Sequence, residues 1–153
     1  MSAAEGSRAG GGRAGVPGAV TGLAHVGIAV ASLAPAIERW TKSLGFTLEG
    51  TEELDSMGLR VAFLTAGDAT IELLESTRPD STIARFLEKR GEGIHHLSFA
   101  VEDIEAALAR AEAAGLALID RTPRDGSHDT RIAFLHPKGM GGVLIEFCER
   151  RRS

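Results

Sequence analysis

Residues 22–30 (GLAHVGIAV) and residues 93–101 (GIHHLSFAV) decide the fold, because the second stretch repeats the first at an offset of 71 residues. The same offset relates residues 60–64 (RVAFL) to residues 131–135 (RIAFL). Two matches at one offset are difficult to obtain by chance in a chain of 153 residues. The sequence therefore predicts an internal duplication.

Each half has the same order of hydrophobic patterns. A strand comes first, then an amphipathic helix, then three strands, which in the first half lie at about 46–54, 59–65 and 70–74. Ser32 is the predicted N-cap of the first helix, and the corresponding helix of the second half spans about 104–115. This order predicts an α+β fold in which two tandem βαβββ modules form curled mixed sheets around a metal site.

The composition places domain boundaries and limits the class of protein. Residues 1–21 are rich in Gly and Ala and are expected to be a flexible tail without a function. Residues 22–150 are expected to form a single domain, with module one at about 22–78, a linker helix at about 81–90 and module two at about 93–150.

Charge and hydropathy exclude several partners. The formal net charge is −4 and the basic residues are interleaved with acidic ones, so we expect no nucleic-acid partner. No apolar run has the length of a membrane span, and we expect no membrane partner. The single cysteine, Cys148, cannot form an internal disulfide and is expected to pack in the core. Without a secretory pattern at residues 1–21, the expected location is cytoplasmic.

Two histidines and two glutamates occupy equivalent positions in the repeats. His25 corresponds to His96, and Glu72 corresponds to Glu146 once about three extra turn residues in the second half are allowed for. A lone strand histidine is usually structural, and a lone strand glutamate usually faces solvent. A carboxylate inside an apolar strand is costly unless it meets water, a partner or a metal. The paired positions favour one shared divalent metal, of which Co, Ni, Zn and Mn suit these donors.

The three other histidines are not expected to bind the metal. His95 is expected on the opposite face of its strand from His96, with a structural role. His136 precedes a proline at a strand end and is expected to shape the pocket, whereas His128 lies in a polar loop and is expected to be exposed.

Five segments carry a family resemblance. The chain resembles the vicinal oxygen chelate superfamily (glyoxalase, bleomycin resistance, dioxygenase), and within it the methylmalonyl-CoA epimerase family. The segments span about residues 23–149 and are residues 25–30 (HVGIAV), 71–75 (IELLE), 80–87 (DSTIARFL), 91–101 (GEGIHHLSFAV) and 134–146 (FLHPKGMGGVLIE).

The resemblance implies proton transfer at the carbon between a thioester and a carboxylate. A metal-bound enolate would form, and Glu146 is the expected base. The resemblance also implies a homodimer and an acyl-CoA substrate. Lys138 and Arg131 are candidate contacts for the CoA end, as alternatives to solvated surface charges.

The sequence departs from the family at the second base. The family has a glutamate shortly before a glycine, and the matching residues 55–59 (DSMGL) put Ser56 at that position. A hydroxyl is too weak an acid to replace a carboxylate without an activator. A one-base reaction on a different substrate and a glyoxalase I-type isomerase (lactoylglutathione lyase) therefore stay open. An Fe(II) dioxygenase and a metal-free binding or resistance module are disfavoured by the four retained donors.

Overall fold

The computed structural model describes residues 16–152, which form one mixed sheet with helices packed against it. The strands are β1 (Val20–Ala29), β2 (Thr47–Leu54), β3 (Leu59–Ala66), β4 (Ala69–Ser76), β5 (Gly93–Val101), β6 (Arg124–Asp125), β7 (Thr130–Leu135) and β8 (Ile145–Arg150). The helices are α1 (Leu33–Glu38), extended by a π-helical turn (Arg39–Ser43), α2 (Thr82–Arg90) and α3 (Ile104–Ala113). Short 3-10 turns lie at Asp55–Met57 and Pro137–Met140.

The sheet has the strand order β2-β3-β4-β1-β5-β8-β7-β6. In each half the first strand pairs in parallel with the last, as β1 does with β4 and β5 with β8. The antiparallel pair of β1 and β5 joins the two halves into a single sheet. The predicted α+β fold of two curled βαβββ units is confirmed.

The core is divided among three apolar clusters because the strands bury both faces. In β3, Ala62 and Leu64 pack toward α1, whereas Val61 and Phe63 pack on the other face with Ile83 of α2. In the second half, α3 packs on β7 and β8 through Ile104 and its neighbours. Among residues 16–152, none of the helices has the length and apolar character needed to span a bilayer.

Two local predictions need correction. β1 begins at Val20, so residues 20 and 21 belong to the sheet rather than to the expected tail, whose residues 1–15 lie outside the described part. The side chain of Ser32 forms no capping hydrogen bond with α1. The carboxylate of Glu75 instead accepts a hydrogen bond from the backbone N–H of Leu33, at 2.6 Å. An anion at a helix N-terminus is stabilised there by the unpaired N–H groups and the helix dipole.

The capping arrangement occurs twice. In the first half, Arg60 donates to Glu75, which holds the N–H of Leu33. In the second half, Arg131 donates to Glu149, whose other oxygen accepts from the N–H of Ile104 at 2.7 Å. The duplicated arginines thus position two carboxylates that cap α1 and α3.

Candidate metal and active site

The two central strands and their parallel neighbours bring the four predicted donors together. His25 lies on β1, Glu72 on β4, His96 on β5 and Glu146 on β8. All four residues are buried, with exposed fractions between 4% and 9%. Alternation along each strand turns these side chains to the same concave face, because the pairs β1–β4 and β5–β8 repeat one geometry.

Three of the donors converge tightly. The Nε2 atom of His25 lies 3.1 Å from Nε2 of His96 and 3.5 Å from Oε1 of Glu146. Nε2 of His96 lies 3.8 Å from Oε2 of Glu146. One donor atom from each of these residues lies within 4.8 Å of the other two, which is the convergence that a chelated cation requires.

The carboxylate of Glu146 supports a cation at this position. Its Oε1 atom is buried and has no hydrogen-bond partner among the described residues. Leaving a buried acceptor without a partner costs about 1–3 kcal/mol, and more for a charged group. A divalent ion between His25, His96 and Glu146 would satisfy this oxygen, so the residues present fit a metal.

Glu72 is predicted as a fourth ligand, and this structure places it beside His25 rather than in the three-donor cluster, so its ligation stays a prediction. Its Oε2 atom lies 2.5 Å from Nδ1 of His25, the nitrogen opposite to the one that faces His96 and Glu146. Glu72 is therefore placed to orient the His25 ring and to fix its tautomer, a role that carboxylates commonly have behind metal-bound histidines. Its Oε1 atom accepts a hydrogen bond from the hydroxyl of Ser127, at 3.5 Å.

Gly27 provides the space for His96. The two residues are partners across β1 and β5. A Cβ atom at position 27 would lie 2.5 Å from Nδ1 and 2.7 Å from Nε2 of His96, and closer still to Cε1. Only glycine leaves room for the imidazole ring at this point of the strand.

Burial and neighbouring charges perturb the donors. Burial raises the pKa of Glu146 to about 7. Burial lowers the pKa of His25, but the hydrogen bond and charge of Glu72 and the charge of Glu146 outweigh it, so the net shift is upward. Burial, with the charges of His25 and His95, holds the pKa of His96 well below its ordinary value. His96 is therefore kept neutral, as a metal ligand must be.

His95 does not take the place that strand alternation predicted. Gly27 pairs with His96 and Ile28 with Ile94, so His95 is an extra residue in a β-bulge. The bulge brings Nδ1 of His95 to 2.9 Å from Nδ1 of His96 and its ring against Phe86. Burial lowers the pKa of His95 to about 4.

The donors lie in a cavity of about 680 Å³. Ser56 lies on its wall. The thiol of Cys148 also faces this cavity, and burial raises its pKa to about 11. The apolar part of the wall comes from both halves and includes Leu54, Met57, Leu59, Val61, Leu74, Ile119, Ile132, Phe134 and Leu144. This apolar part of the wall can contact a small acyl chain, whereas polar and charged residues, among them Arg78, Arg124 and Arg150, make up much of the rest.

The remaining predicted contacts lie elsewhere. Lys138 and His136 are exposed, and Nδ1 of His136 accepts a hydrogen bond from the backbone N–H of Lys138. Arg131 forms ion pairs with Glu105 and Glu149. None of the three predicted residues lines the cavity in the described part of the chain, and Arg131 has the capping role described above.

The sequence prediction missed one side of the cavity. Arg124, Ser127 and His128 line it from the hairpin between β6 and β7. His128, expected only as an exposed loop residue, is indeed exposed but stacks on Phe63, with ring centroids 3.8 Å apart. The repeat held the signal, because at the offset of 71 residues Ser127 corresponds to Ser56.

Comparison with known proteins identifies the superfamily to which the fold and the donor cluster belong. Residues 24–134 match the family model of the Glyoxalase/Bleomycin resistance protein/Dioxygenase superfamily. The chain belongs to this superfamily. Members of the superfamily bind divalent metals, and His25, His96 and Glu146 are the corresponding His/His/Glu cluster here.

Several of the relatives that the chain resembles are named as epimerases. An ethylmalonyl-CoA/methylmalonyl-CoA epimerase of Cereibacter sphaeroides is 39% identical over 126 residues, covering 81% of this chain and 94% of the relative. The crystal structure of methylmalonyl-CoA epimerase from Mycobacterium tuberculosis has a TM-score of 0.83 and 44% identity, covering 87% and 90% of the two chains. A methylmalonyl-CoA epimerase in complex with methylmalonyl-CoA and NH4+ has a TM-score of 0.81 and 36% identity, covering 86% and 96%. The predicted resemblance to this family is confirmed.

Proposed function

We propose that this protein is a metal-dependent epimerase that moves the α proton of a 2-substituted malonyl-CoA thioester of the methylmalonyl-CoA type. The observation that carries the proposal is the buried cluster of His25, His96 and Glu146 on the wall of the cavity. The similarity to named epimerases, at up to 44% identity to the structure from Mycobacterium tuberculosis, supports the substrate class.

The donor set supports a divalent metal as the cofactor. His25, His96 and Glu146 would hold one divalent ion, with Glu72 orienting His25. Two imidazoles and a carboxylate suit Co, Ni, Zn or Mn, and the choice among these ions is a matter for measurement. When bound, the ion would supply Lewis-acid stabilisation of negative charge on the thioester oxygen.

Glu146 is the proposed base. In one direction its carboxylate takes the α proton, the C–H electron pair moves into the thioester, and a proton returns to the opposite face of the planar carbon. Its position suits this task, because its Oε1 atom is buried at the cavity and has no hydrogen-bond partner among the described residues. The apolar wall that includes Leu59, Val61 and Ile132 would exclude water from the reacting carbon.

A second candidate function is isomerisation of a glutathione hemithioacetal, as in glyoxalase I. The observation in its favour is Ser56, since this reaction can be run by a single carboxylate and does not need a base at that position. The substrate would present a hydroxyketone in place of a malonyl group.

One experiment separates the candidates. The protein is loaded with cobalt and incubated in deuterated water with a single epimer of methylmalonyl-CoA. We expect deuterium at C2 together with the opposite epimer, and loss of both after chelation of the metal. Turnover of the methylglyoxal–glutathione adduct, without exchange at C2 of methylmalonyl-CoA, would favour the second candidate. A protein that retains no cobalt and leaves both substrates unchanged would favour a binding module.

Two further properties stay predictions. We expect a homodimer, which size-exclusion chromatography with light scattering measures. We expect a cytoplasmic location, which fractionation of the source cells measures.

A further inference from the structure

Epimerisation needs two proton-transfer groups, one on each face of the planar intermediate, and the proposed function assigns only Glu146. Ser56 cannot act as the second group by itself, because a hydroxyl is too weakly acidic. The acidic neighbours of Ser56 are engaged elsewhere. Glu53 pairs with Arg60 at 2.9 Å, and Glu52 accepts from the backbone of His128. Asp55 is not among the described residues that line the cavity.

Few titratable groups remain on the cavity wall. Glu72 is bound to His25, and Asp80 lies at an exposed rim, paired with Arg78 at 2.9 Å. Burial raises the pKa of the Cys148 thiol to about 11 and lowers that of His95 to about 4. Those two groups are therefore a weak acid and a weak base near neutral pH. Four histidines line the cavity in the described part of the chain. His25 and His96 are proposed ligands and His95 contacts His96, which leaves His128.

The hairpin that carries His128 reaches across the cavity from the second half to the first. The hydroxyl of Ser127 donates to Glu72, and the backbone N–H of His128 donates to Oε2 of Glu52 at 3.3 Å. The imidazole lies on the ring of Phe63, which pairs with Glu72 across β3 and β4. The hairpin is thus held at three points beside Glu72: one contact is made by Ser127 and two by His128.

The backbone of the hairpin is unusual. His128 and Asp129 both have positive φ angles, of 51° and 54°. A non-glycine residue in this conformation costs about 1 kcal/mol, and such residues concentrate at functional sites. With this backbone, the imidazole of His128 lies against the ring of Phe63.

The repeat explains why this hairpin carries the group. At the offset of 71 residues, Ser127 and His128 correspond to Ser56 and Met57. Gly58 and Asp129, also equivalent, share the left-handed conformation. The loop that holds the second base in resembling enzymes therefore has a twin, and the twin carries a proton-transfer group on the same cavity.

We propose that His128 is the second acid and base of the epimerisation, an inference that rests on the proposed function. In one direction Glu146 removes the α proton, and the imidazolium of His128 donates a proton from its N–H to the other face, becoming neutral. In the reverse direction neutral His128 takes the proton and protonated Glu146 donates. Because His128 is exposed in the free protein, its proton exchanges with water between turnovers.

Two variants test this role. H128N keeps a residue that tolerates the left-handed backbone, and H128F keeps a ring to stack on Phe63. Each epimer of the thioester is incubated separately with metal-loaded protein in deuterated water. We expect both variants to exchange the α proton of one epimer with retained configuration, while epimerisation falls by about 100-fold or more. Because His128 is outside the donor cluster, metal affinity stays at the wild-type value.

A rescue variant sharpens the result. Adding S56E to H128N places a carboxylate at the position where resembling enzymes have their second base, and should restore at least part of the epimerisation. If both His128 variants epimerise the thioester at the wild-type rate, the inference is overturned and the proposed function stays intact. Loss of exchange from both epimers would also overturn it, because His128 would then support the whole site. A wild-type protein without exchange or epimerisation would refute the proposed function itself.

Discussion

The substitution G27A tests the metal centre through a residue that carries no ligand. A Cβ atom at position 27 would lie 2.5 Å from Nδ1 and 2.7 Å from Nε2 of His96. Ordinary contacts between such atoms are about 3.5–4.0 Å, so the ring has to retreat by about 1 Å. Metal–nitrogen bonds tolerate only about 0.2 Å around 2.0–2.1 Å, so His96 would leave the ion.

We expect the metal affinity to fall by about 100-fold or more, which is at least the loss seen when a residue that supports a metal ligand is removed. G22A is the matched control, because Gly22 lies on the same strand and a Cβ atom there meets nothing within 4 Å. Affinity is measured by competition with a chromophoric chelator, on folded protein in each case. Overpacking also lowers the free energy of unfolding of G27A by about 1–3 kcal/mol.

The reasoning fails if G27A and G22A bind cobalt or zinc with equal affinity. That result would mean that His96 is not a ligand, or that β1 shifts away from β5 at no cost. A crystal structure of G27A would distinguish these two cases.

Three further perturbations follow from the site. E72Q should weaken metal binding by about 10–100-fold, because it loosens the orientation of His25. E146Q should weaken metal binding further and also abolish α-proton exchange. Chelator competition measures the metal affinity and deuterium incorporation measures the exchange; equal losses in both variants would mean that Glu72 is a ligand. The pKa of His95 is lowered to about 4, so the unfolded chain takes up its proton first as the pH falls below about 6.5, and stability should drop between pH 6.5 and 4 by up to about 3 kcal/mol. Urea unfolding of the metal-free protein should show a flatter pH dependence for H95F, and an unchanged slope would contradict the burial argument. R131M should lower the free energy of unfolding, because Glu149 loses its partner at the N-terminus of α3. It should leave KM for the acyl-CoA unchanged, and a raised KM would indicate that Arg131 contacts the substrate.

The sequence predicted what the duplication encodes. The equivalence of His25 with His96 and of Glu72 with Glu146 was enough to locate the cavity and its donors, because strand alternation and the repeat act on every residue of a regular strand. It leaves open whether Glu72 is a ligand, as predicted, or a group that orients His25. That distinction depends on which nitrogen of His25 faces Glu72, a rotation of one ring.

The failures occur where regular geometry is interrupted. His95 was assigned to the wrong face because a single bulge opposite Gly27 breaks the period of two. Ser32 was expected to cap α1, but a carboxylate from a distant strand, Glu75, reaches the N–H group first. Arg131 was a candidate contact for the CoA end or a solvated surface charge, whereas in the structure it holds Glu149 in place.

The pairing of β1 with β5 restricts which changes in length the chain tolerates. His25 and His96 come from these two strands, and moving either strand by one residue would turn its histidine to the opposite side of the sheet. Deletion of one residue within 26–29 or 93–101 should therefore break this register and abolish metal binding even if the chain still folds. A deletion of the same size at Arg121 or Thr122, which are exposed and lie between α3 and β6, should be absorbed, since it moves neither strand.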